Sequence, residues 1–122
     1  MKISALFTAT AITVLASSTD AWRVYLHDHS DFGGTTYTAS GPGNPGSACH
    51  TIPKGHRYRA ASITYYAYDR QTNPTTRCTL QLFEGFDCDG MNGPSFSSDT
   101  KKALQQDWRD RASCFKTTCK RV

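Results

Sequence analysis

Two stretches of the chain, RVYLHDHSDFGG at residues 23–34 and TLQLFEGFDCDG at residues 79–90, share one order of apolar, aromatic and turn residues. A second pair follows in the same order, because RAASI at 59–63 and RASCF at 111–115 both begin with arginine and small residues and end on an apolar side chain. The two members of each pair stand a little over fifty positions apart, at roughly the spacing of a structural repeat. The chain is therefore predicted to contain two copies of one unit.

The rest of the chain has the pattern of an all-β protein. Short runs rich in β-branched and aromatic residues alternate with clusters of glycine, proline, asparagine, aspartate and serine, which favours a sandwich or a barrel. GPGNPGS at 41–47 and the segment 85–94 are expected to be turns, and the stretch from Lys102 to Trp108 is expected to form a helical turn. The predicted strands are 22–27, 35–39, 61–67, 78–83, 95–98 and 113–118.

Each copy reads as a strand, a tight hairpin, an aromatic or cysteine residue two positions before a glycine, and later a serine-containing strand. The patterns H-x-x-x-x-F-x-G at 27–34 and F-x-x-x-x-C-x-G at 83–90 resemble the Greek-key motif of the βγ-crystallin family, Y/F-x-x-x-x-F-x-G. IPKGHRYRAASI at 52–63 and WRDRASCF at 108–115 are similar to the family's later segment. The layout looks most like small secreted, cysteine-containing fungal proteins. The resemblance implies two Greek-key motifs that form a single, disulfide-stabilised β-sandwich.

The motif glycines are Gly34 and Gly90. The hairpin needs a positive φ at these positions, where a Cβ atom would clash, and glycine allows it. Ser62 is the kind of short polar residue that bonds the backbone of a folded hairpin.

The beginning of the chain reads as a secretory signal peptide, with a charged residue, a short apolar run and then small residues. Cleavage after Ser18 and cleavage after Ala21 both fit. We take residues 1–21 as the signal peptide and 22–122 as one soluble, extracellular domain. The domain divides into repeat one at about 22–70, a linker at about 71–77 and repeat two at about 78–122.

All five cysteines lie in the predicted mature part, and export of a small domain favours disulfides. Two bridges leave one thiol that is free, buried in the core or paired between chains, so a monomer and a disulfide-linked dimer both remain open. Five choices of the odd residue and three connectivities of the rest leave 15 arrangements. The candidates are Cys49, Cys78, Cys88, Cys114 and Cys119.

The formal net charge is +4, and basic residues concentrate near the C-terminus. A basic surface is attracted to anionic membranes and acidic glycans, although an ordinary solvated face has the same composition. Nucleic acid is a poor partner for an exported chain. Exposed tyrosines stack on sugars or anchor at a membrane interface. The surface-binding candidates are Lys116, Lys120, Arg121, Tyr66 and Tyr68.

A calcium site is implied only by the resemblance, since many family members bind calcium through the motif N/D-N/D-x-x-S/T-S. Asp110 and Ser113 are what remains of this motif in repeat two, and Arg109 occupies its first position. A guanidinium repels a divalent cation, so we expect no cofactor and at most weak calcium binding. The run HDHSD at 27–31 is expected to be a polar hairpin tip, because the equivalent FEGFD at 83–87 has no histidine. A zinc or copper site peculiar to repeat one is the alternative.

No sequence context for a catalytic nucleophile or for a pair of catalytic carboxylates is present, so we expect no enzymatic activity. The residues and the resemblance together favour a secreted toxin-like or effector protein that acts at the surface of competitor or host cells. A glycan- or wall-binding module is the first alternative. A structural or stress-related extracellular protein is the second.

Overall fold

The protein is described here by a computed structural model that covers residues 20–43, 45–67 and 76–121. The predicted signal peptide, apart from its last two residues, most of the predicted linker, and Tyr68 lie outside this range. The described residues form two four-stranded antiparallel sheets, which confirms the all-β prediction. They contain no helix that is long and apolar enough to cross a bilayer. The strands are β1 Asp20–His27, β2 Thr36–Pro42, β3 Gly46–Thr51, β4 Ser62–Tyr66, β5 Thr76–Gly85, β6 Asp89–Phe96, β7 Thr100–Ala103 and β8 Cys114–Arg121.

The two repeats exchange one strand each. Sheet one has the strand order β2-β1-β4-β7, and sheet two has the order β3-β8-β5-β6. Repeat one thus contributes β3 to sheet two, where β3 pairs with β8, and repeat two contributes β7 to sheet one, where β7 pairs with β4. Neither repeat completes a sheet by itself, so the two Greek keys form one sandwich.

The core lies between the sheets and follows the alternation of the central strands. Val24 and Leu26 of β1 are buried, and Leu80 and Leu82 of β5 meet them from the other sheet in one cluster. Burial of each such side chain contributes about 1.5–3 kcal/mol. Tyr65 is fully buried, its hydroxyl donates to the carbonyl of Cys78 at 2.6 Å, and burial raises the pKa of that hydroxyl.

The folded hairpin of each repeat turns on a left-handed glycine. Gly34 has a φ of 79° and Gly90 has a φ of 75°. A Cβ on Gly90 would lie 3.0 Å from the backbone nitrogen of Gly85, whereas a Cβ on Gly34 would lie 3.0 Å from the exposed ring of His29. A side chain added at Gly90 would therefore meet backbone atoms, whereas one added at Gly34 would meet a side chain that is able to move.

Three local predictions are wrong, and each falls on an edge strand. Gly46 belongs to β3 instead of a turn, β6 begins at Asp89 within the predicted turn at 85–94, and Lys102 belongs to β7 instead of a helix. The helical pattern at 102–108 produces only the short 3-10 turn Gln106–Trp108. An equivalent 3-10 turn, Lys54–His56, precedes β4. Edge strands expose most of their residues, so the apolar alternation that identifies a strand is missing from them.

Candidate functional site

The structure pairs four of the five cysteines. Cys49 bonds Cys88, Cys78 bonds Cys119, and Cys114 is free and buried. The prediction of two disulfides and one odd thiol is confirmed. Of the three fates left open for the odd cysteine, the structure shows burial.

The Cys78–Cys119 disulfide is part of the core. The two residues are register partners on β5 and β8, and their relative exposures are 0% and 5%. The bond joins neighbouring strands where little solvent reaches it, which is the setting of an inert structural bridge.

The other disulfide lies next to the free thiol. Cys114 Sγ is 3.1 Å from Cys88 Sγ and 3.7 Å from Cys49 Sγ, and the Cys88 backbone N–H donates to the same thiol sulfur at 2.6 Å. Cys49 is exposed on the edge strand β3, Cys88 is half-buried in the second hairpin, and Cys114 is fully buried on β8. Within the described ranges, these three sulfurs are the one place where three side chains of metal-ligating type converge. Two of them are consumed by the disulfide.

The same position carries a hydroxyl in repeat one. Ser62 pairs with His27 across β4 and β1 as Cys114 pairs with Phe83 across β8 and β5, so Ser62 and Cys114 are equivalent. The Ser62 hydroxyl donates to the carbonyl of His29 at 2.6 Å and thereby holds the first hairpin.

In repeat two the corresponding hydrogen bond is made by the preceding residue, Ser113. The hydroxyl of Ser113, which is fully buried, donates to the carbonyl of Glu84. Of the two predicted calcium ligands, Ser113 therefore already has a partner. Asp110 is exposed, with a φ of 60° and its backbone N–H bonded to the carbonyl of Ala60.

Arginine side chains occupy the first motif position in both repeats. Arg57 Nε donates to the carbonyl of Ile52 at 2.7 Å, and Arg109 Nε donates to the equivalent carbonyl of Leu104 at 3.1 Å. A divalent cation needs several free oxygen ligands, and here guanidinium groups take up carbonyl oxygens beside the motif. The residues present do not fit a calcium ion, and weak binding stays the prediction.

The HDHSD run is built into the first hairpin. His27 is buried, its Nδ1 lies 3.1 Å from Thr36 Oγ1, and its Nε2 lies 3.0 Å from Thr64 Oγ1. Burial lowers the pKa of His27, and the nearby Lys101 lowers it further. Asp28 forms an ion pair with Arg59 at 2.9 Å. Since both ring nitrogens of His27 have hydroxyl partners, His27 is held as a structural residue and offers no nitrogen to a metal.

The predicted surface-binding residues do not form one surface. Lys116 and Lys120 lie on β8 of sheet two and face away from the core, because they alternate with buried residues of that strand. Tyr66 lies on β4 of sheet one, is 46% exposed and faces the opposite side of the sandwich. Arg121 is exposed at the end of β8, opposite Thr76.

Sheet two adds one cation, Arg77, to two of the predicted surface-binding residues. Arg77 of β5 is exposed and lies directly opposite Lys120, and Lys116 lies further along the same outward row. We call Arg77, Lys116 and Lys120 the basic face. The outward positions of β5 and β8, both described over their full length, carry no carboxylate. Like charges directly opposite each other across two strands cost stability.

Sheet one presents a different outer face. The rings of Tyr25 and Tyr66 meet edge to face with centroids 6.3 Å apart, and Thr64 pairs with Tyr25 in the neighbouring register row. Exposed tyrosine with hydroxyl groups nearby suits apolar and hydrogen-bonding contact. The same sheet also carries charge, because Arg23 lies opposite Tyr66 and Lys101 lies opposite Thr64. We call Tyr25, Thr64 and Tyr66 the tyrosine face.

Solved structures support the architecture. A βγ-crystallin domain from Clostridium beijerinckii aligns with a TM-score of 0.52 and 15% identity, over 78% of this chain and 95% of that chain. A double mutant of that domain aligns with a TM-score of 0.52 and 16% identity, over 79% of this chain and 96% of that chain. The chain adopts the βγ-crystallin fold. No protein-family model and no curated protein sequence matches it. At this identity the likeness confirms the predicted fold and carries no function with it.

Proposed function

We propose that the protein is an exported, non-enzymatic toxin-like or effector protein that acts at the surface of competitor or host cells. The observation that carries the proposal is the basic face, the three cations on the outward rows of β5 and β8 in sheet two. The two disulfides and the predicted signal peptide support an extracellular setting. The hydroxyl partners of His27 and of His50 support a structural role for these histidines instead of a catalytic one.

The basic face suits an anionic membrane leaflet. Each Lys or Arg near such a surface contributes about 1 kcal/mol, so three contribute about 3 kcal/mol. This attraction decays within about a Debye length, so contact should weaken as salt is raised. The strands that carry the face are joined by the Cys78–Cys119 disulfide, which keeps the cations in place when the protein meets a surface.

The first test is growth inhibition by the oxidised protein across fungi, bacteria and plant tissue, with a reduced sample alongside. The informative variant is Lys116→Glu/Lys120→Glu, which reverses two charges of the basic face. Its matched control is Lys54→Glu/Lys102→Glu, which makes the same charge change at exposed positions elsewhere. We expect inhibition by the wild type and by the control, and loss of inhibition in the first variant and on reduction. Equal activity in both variants would contradict a role for the basic face.

The tyrosine face favours a second candidate function, binding of a neutral wall glycan. Tyr66 is exposed at 46%, and its ring borders Tyr25. Retention on insoluble chitin or glucan that persists at high salt and is lost in Tyr66→Ala supports this candidate. If neither inhibition nor retention is observed, the structural role remains as the function of the fold.

A further inference from the structure

We propose that Cys114 is an internal nucleophile that transfers the protein's free thiol to Cys49, which thereby becomes a surface site for mixed-disulfide formation. The inference is independent of the proposed function. It rests on one buried thiol that contacts one disulfide, of which one sulfur belongs to an exposed residue.

The step exchanges one disulfide for another. Cys114 gives its thiol proton to water, and its sulfur attacks Cys88 Sγ, which lies 3.1 Å away. The Cys88–Cys114 bond forms as the Cys49–Cys88 bond breaks, and Cys49 leaves as a thiolate with the bonding electron pair. Attack runs along the axis of the breaking bond, so the Cys114 side chain rotates before the bond forms. The number of disulfides is unchanged, and no oxidant or reductant takes part.

The surroundings of the two thiols favour this direction. Burial raises the pKa of Cys114, and the carboxylates of Asp87 and Asp89 raise it further, although the Cys88 backbone N–H opposes them. A thiolate at Cys114 is therefore costly.

Cys49 offers a better place for the negative charge. It is exposed to water, and its register partner across β3 and β8 is Lys116, a cation of the basic face. A thiolate is stabilised by solvent and by a nearby cation. Attack at Cys88 releases Cys49 as the thiolate. Cys88 Sγ is also the nearer target, at 3.1 Å from Cys114 Sγ compared with 3.7 Å for Cys49 Sγ.

The product has a reactive thiol on an edge strand. The Cys49 thiolate is able to attack a disulfide of another molecule, form a mixed disulfide with one half and release the other half as a thiolate. The ligand class is therefore a molecule with an accessible disulfide, either a small compound or a protein. In the starting structure such a reaction is blocked, because the only free thiol of the described residues is fully buried.

The test uses oxidised glutathione as the probe. The oxidised protein is incubated with an excess of it at about pH 8.5, quenched with acid and mapped by peptide mass spectrometry. We expect glutathione on Cys49, a new Cys88–Cys114 bridge and an unchanged Cys78–Cys119 bridge. The rate should fall roughly tenfold at about pH 7.5, because the attacking species is the thiolate. Glutathione on Cys114 beside an intact Cys49–Cys88 bridge, or no adduct at all, would overturn the proposal.

The control is Cys114→Ser, which puts into repeat two the residue that repeat one has at Ser62. No adduct should form in this variant, because neither the variant nor oxidised glutathione has a free thiol that starts the exchange. An adduct at Cys49 would show that the surface disulfide opens without Cys114 and would contradict the proposal. If this variant does not fold, alkylation of the native wild type with iodoacetamide decides, because exchange labels Cys49 whereas simple opening of the core labels Cys114.

Discussion

In both repeats a serine hydroxyl bonds a hairpin carbonyl, but the other side chains under the hairpins differ in their chemistry. In repeat one the Ser62 hydroxyl bonds the His29 carbonyl, and the neighbouring residue across the strands is His27, with both ring nitrogens at threonine hydroxyls. In repeat two the equivalent positions hold Cys114 and Phe83, and the hairpin is joined to β3 by the Cys49–Cys88 bond. The first arrangement is local and polar, whereas the second ties together parts of both repeats.

The difference shows where the fold tolerates change. The backbone pairings match in both repeats, since Ala61 N–H bonds the His27 carbonyl as Ser113 N–H bonds the Phe83 carbonyl. Side chains under the hairpin differ in polarity, size and covalent bonding. The Greek key therefore fixes the backbone and leaves the chemistry beneath each hairpin variable.

Removal of a disulfide is expected to lower the free energy of unfolding more than any other change considered below. The two bonds span 39 and 41 positions, so loss of either should cost about 4 kcal/mol from loop entropy. Cys78→Ala/Cys119→Ala also loses packed core sulfurs, about 1 kcal/mol more than Cys49→Ala/Cys88→Ala. Urea unfolding of both double variants measures the difference. A smaller loss for the core pair would contradict this account.

Substitution of the motif glycines compares the hairpins directly. Gly90→Val should cost about 3 kcal/mol and Gly34→Val about 2 kcal/mol, because both force a branched residue to positive φ. The extra cost at Gly90 arises from the backbone of Gly85, which cannot move aside as the His29 ring can. Thermal unfolding ranks the two variants. Adding His29→Ala to Gly34→Val removes the ring that the new side chain would meet, and should recover part of the lost stability.

Exchange of the residues under the hairpins gives a smaller effect. Ser62→Ala should lose about 1–2 kcal/mol, because the hydrogen bond from the buried Ser62 to the carbonyl of His29 is lost. Cys114→Ser should lose less than about 1 kcal/mol, since a hydroxyl fits the equivalent position of repeat one. Denaturant midpoints for both variants provide the test. A larger loss in Cys114→Ser would show that the thiol is required for packing.

The pH dependence of stability gives the smallest effect. Burial lowers the pKa of His27 in the folded state, so the unfolded chain takes up the proton first as the pH falls below about 6.5. Stability should therefore decline between that pH and the lower folded pKa, and should not decline further below it. His27→Phe, which copies Phe83 of repeat two, should flatten the decline. The part that remains belongs to His50, whose pKa burial also lowers. An unchanged slope would contradict the assignment to His27.

The fold was predictable from the sequence because its signals are local. The glycines of the hairpins and the alternation of the central strands can be read directly, as in the buried Val24 and Leu26. The edge strands β3 and β7 were not predictable, because their residues are exposed and their pairing partners come from the other repeat.

The candidate sites were predictable in part. The sequence indicated two disulfides and an odd thiol but not the contact among Cys49, Cys88 and Cys114, which depends on pairing between β3 and β8. It grouped Lys116 with Tyr66, which lie on opposite faces, and it missed Arg77, which is distant in sequence from the basic C-terminus. Neighbours across a sheet become visible only when the register is known.

The claim that the basic face of sheet two mediates surface contact is tested most directly by binding to anionic vesicles. Lys116→Glu/Lys120→Glu and its control Lys54→Glu/Lys102→Glu have the same net charge, so sedimentation with phosphatidylserine vesicles separates position from charge. We expect salt-sensitive binding of the wild type and the control, and at least roughly tenfold weaker binding of the basic-face variant. Equal weakening of both variants would show that only net charge matters and would contradict a defined face.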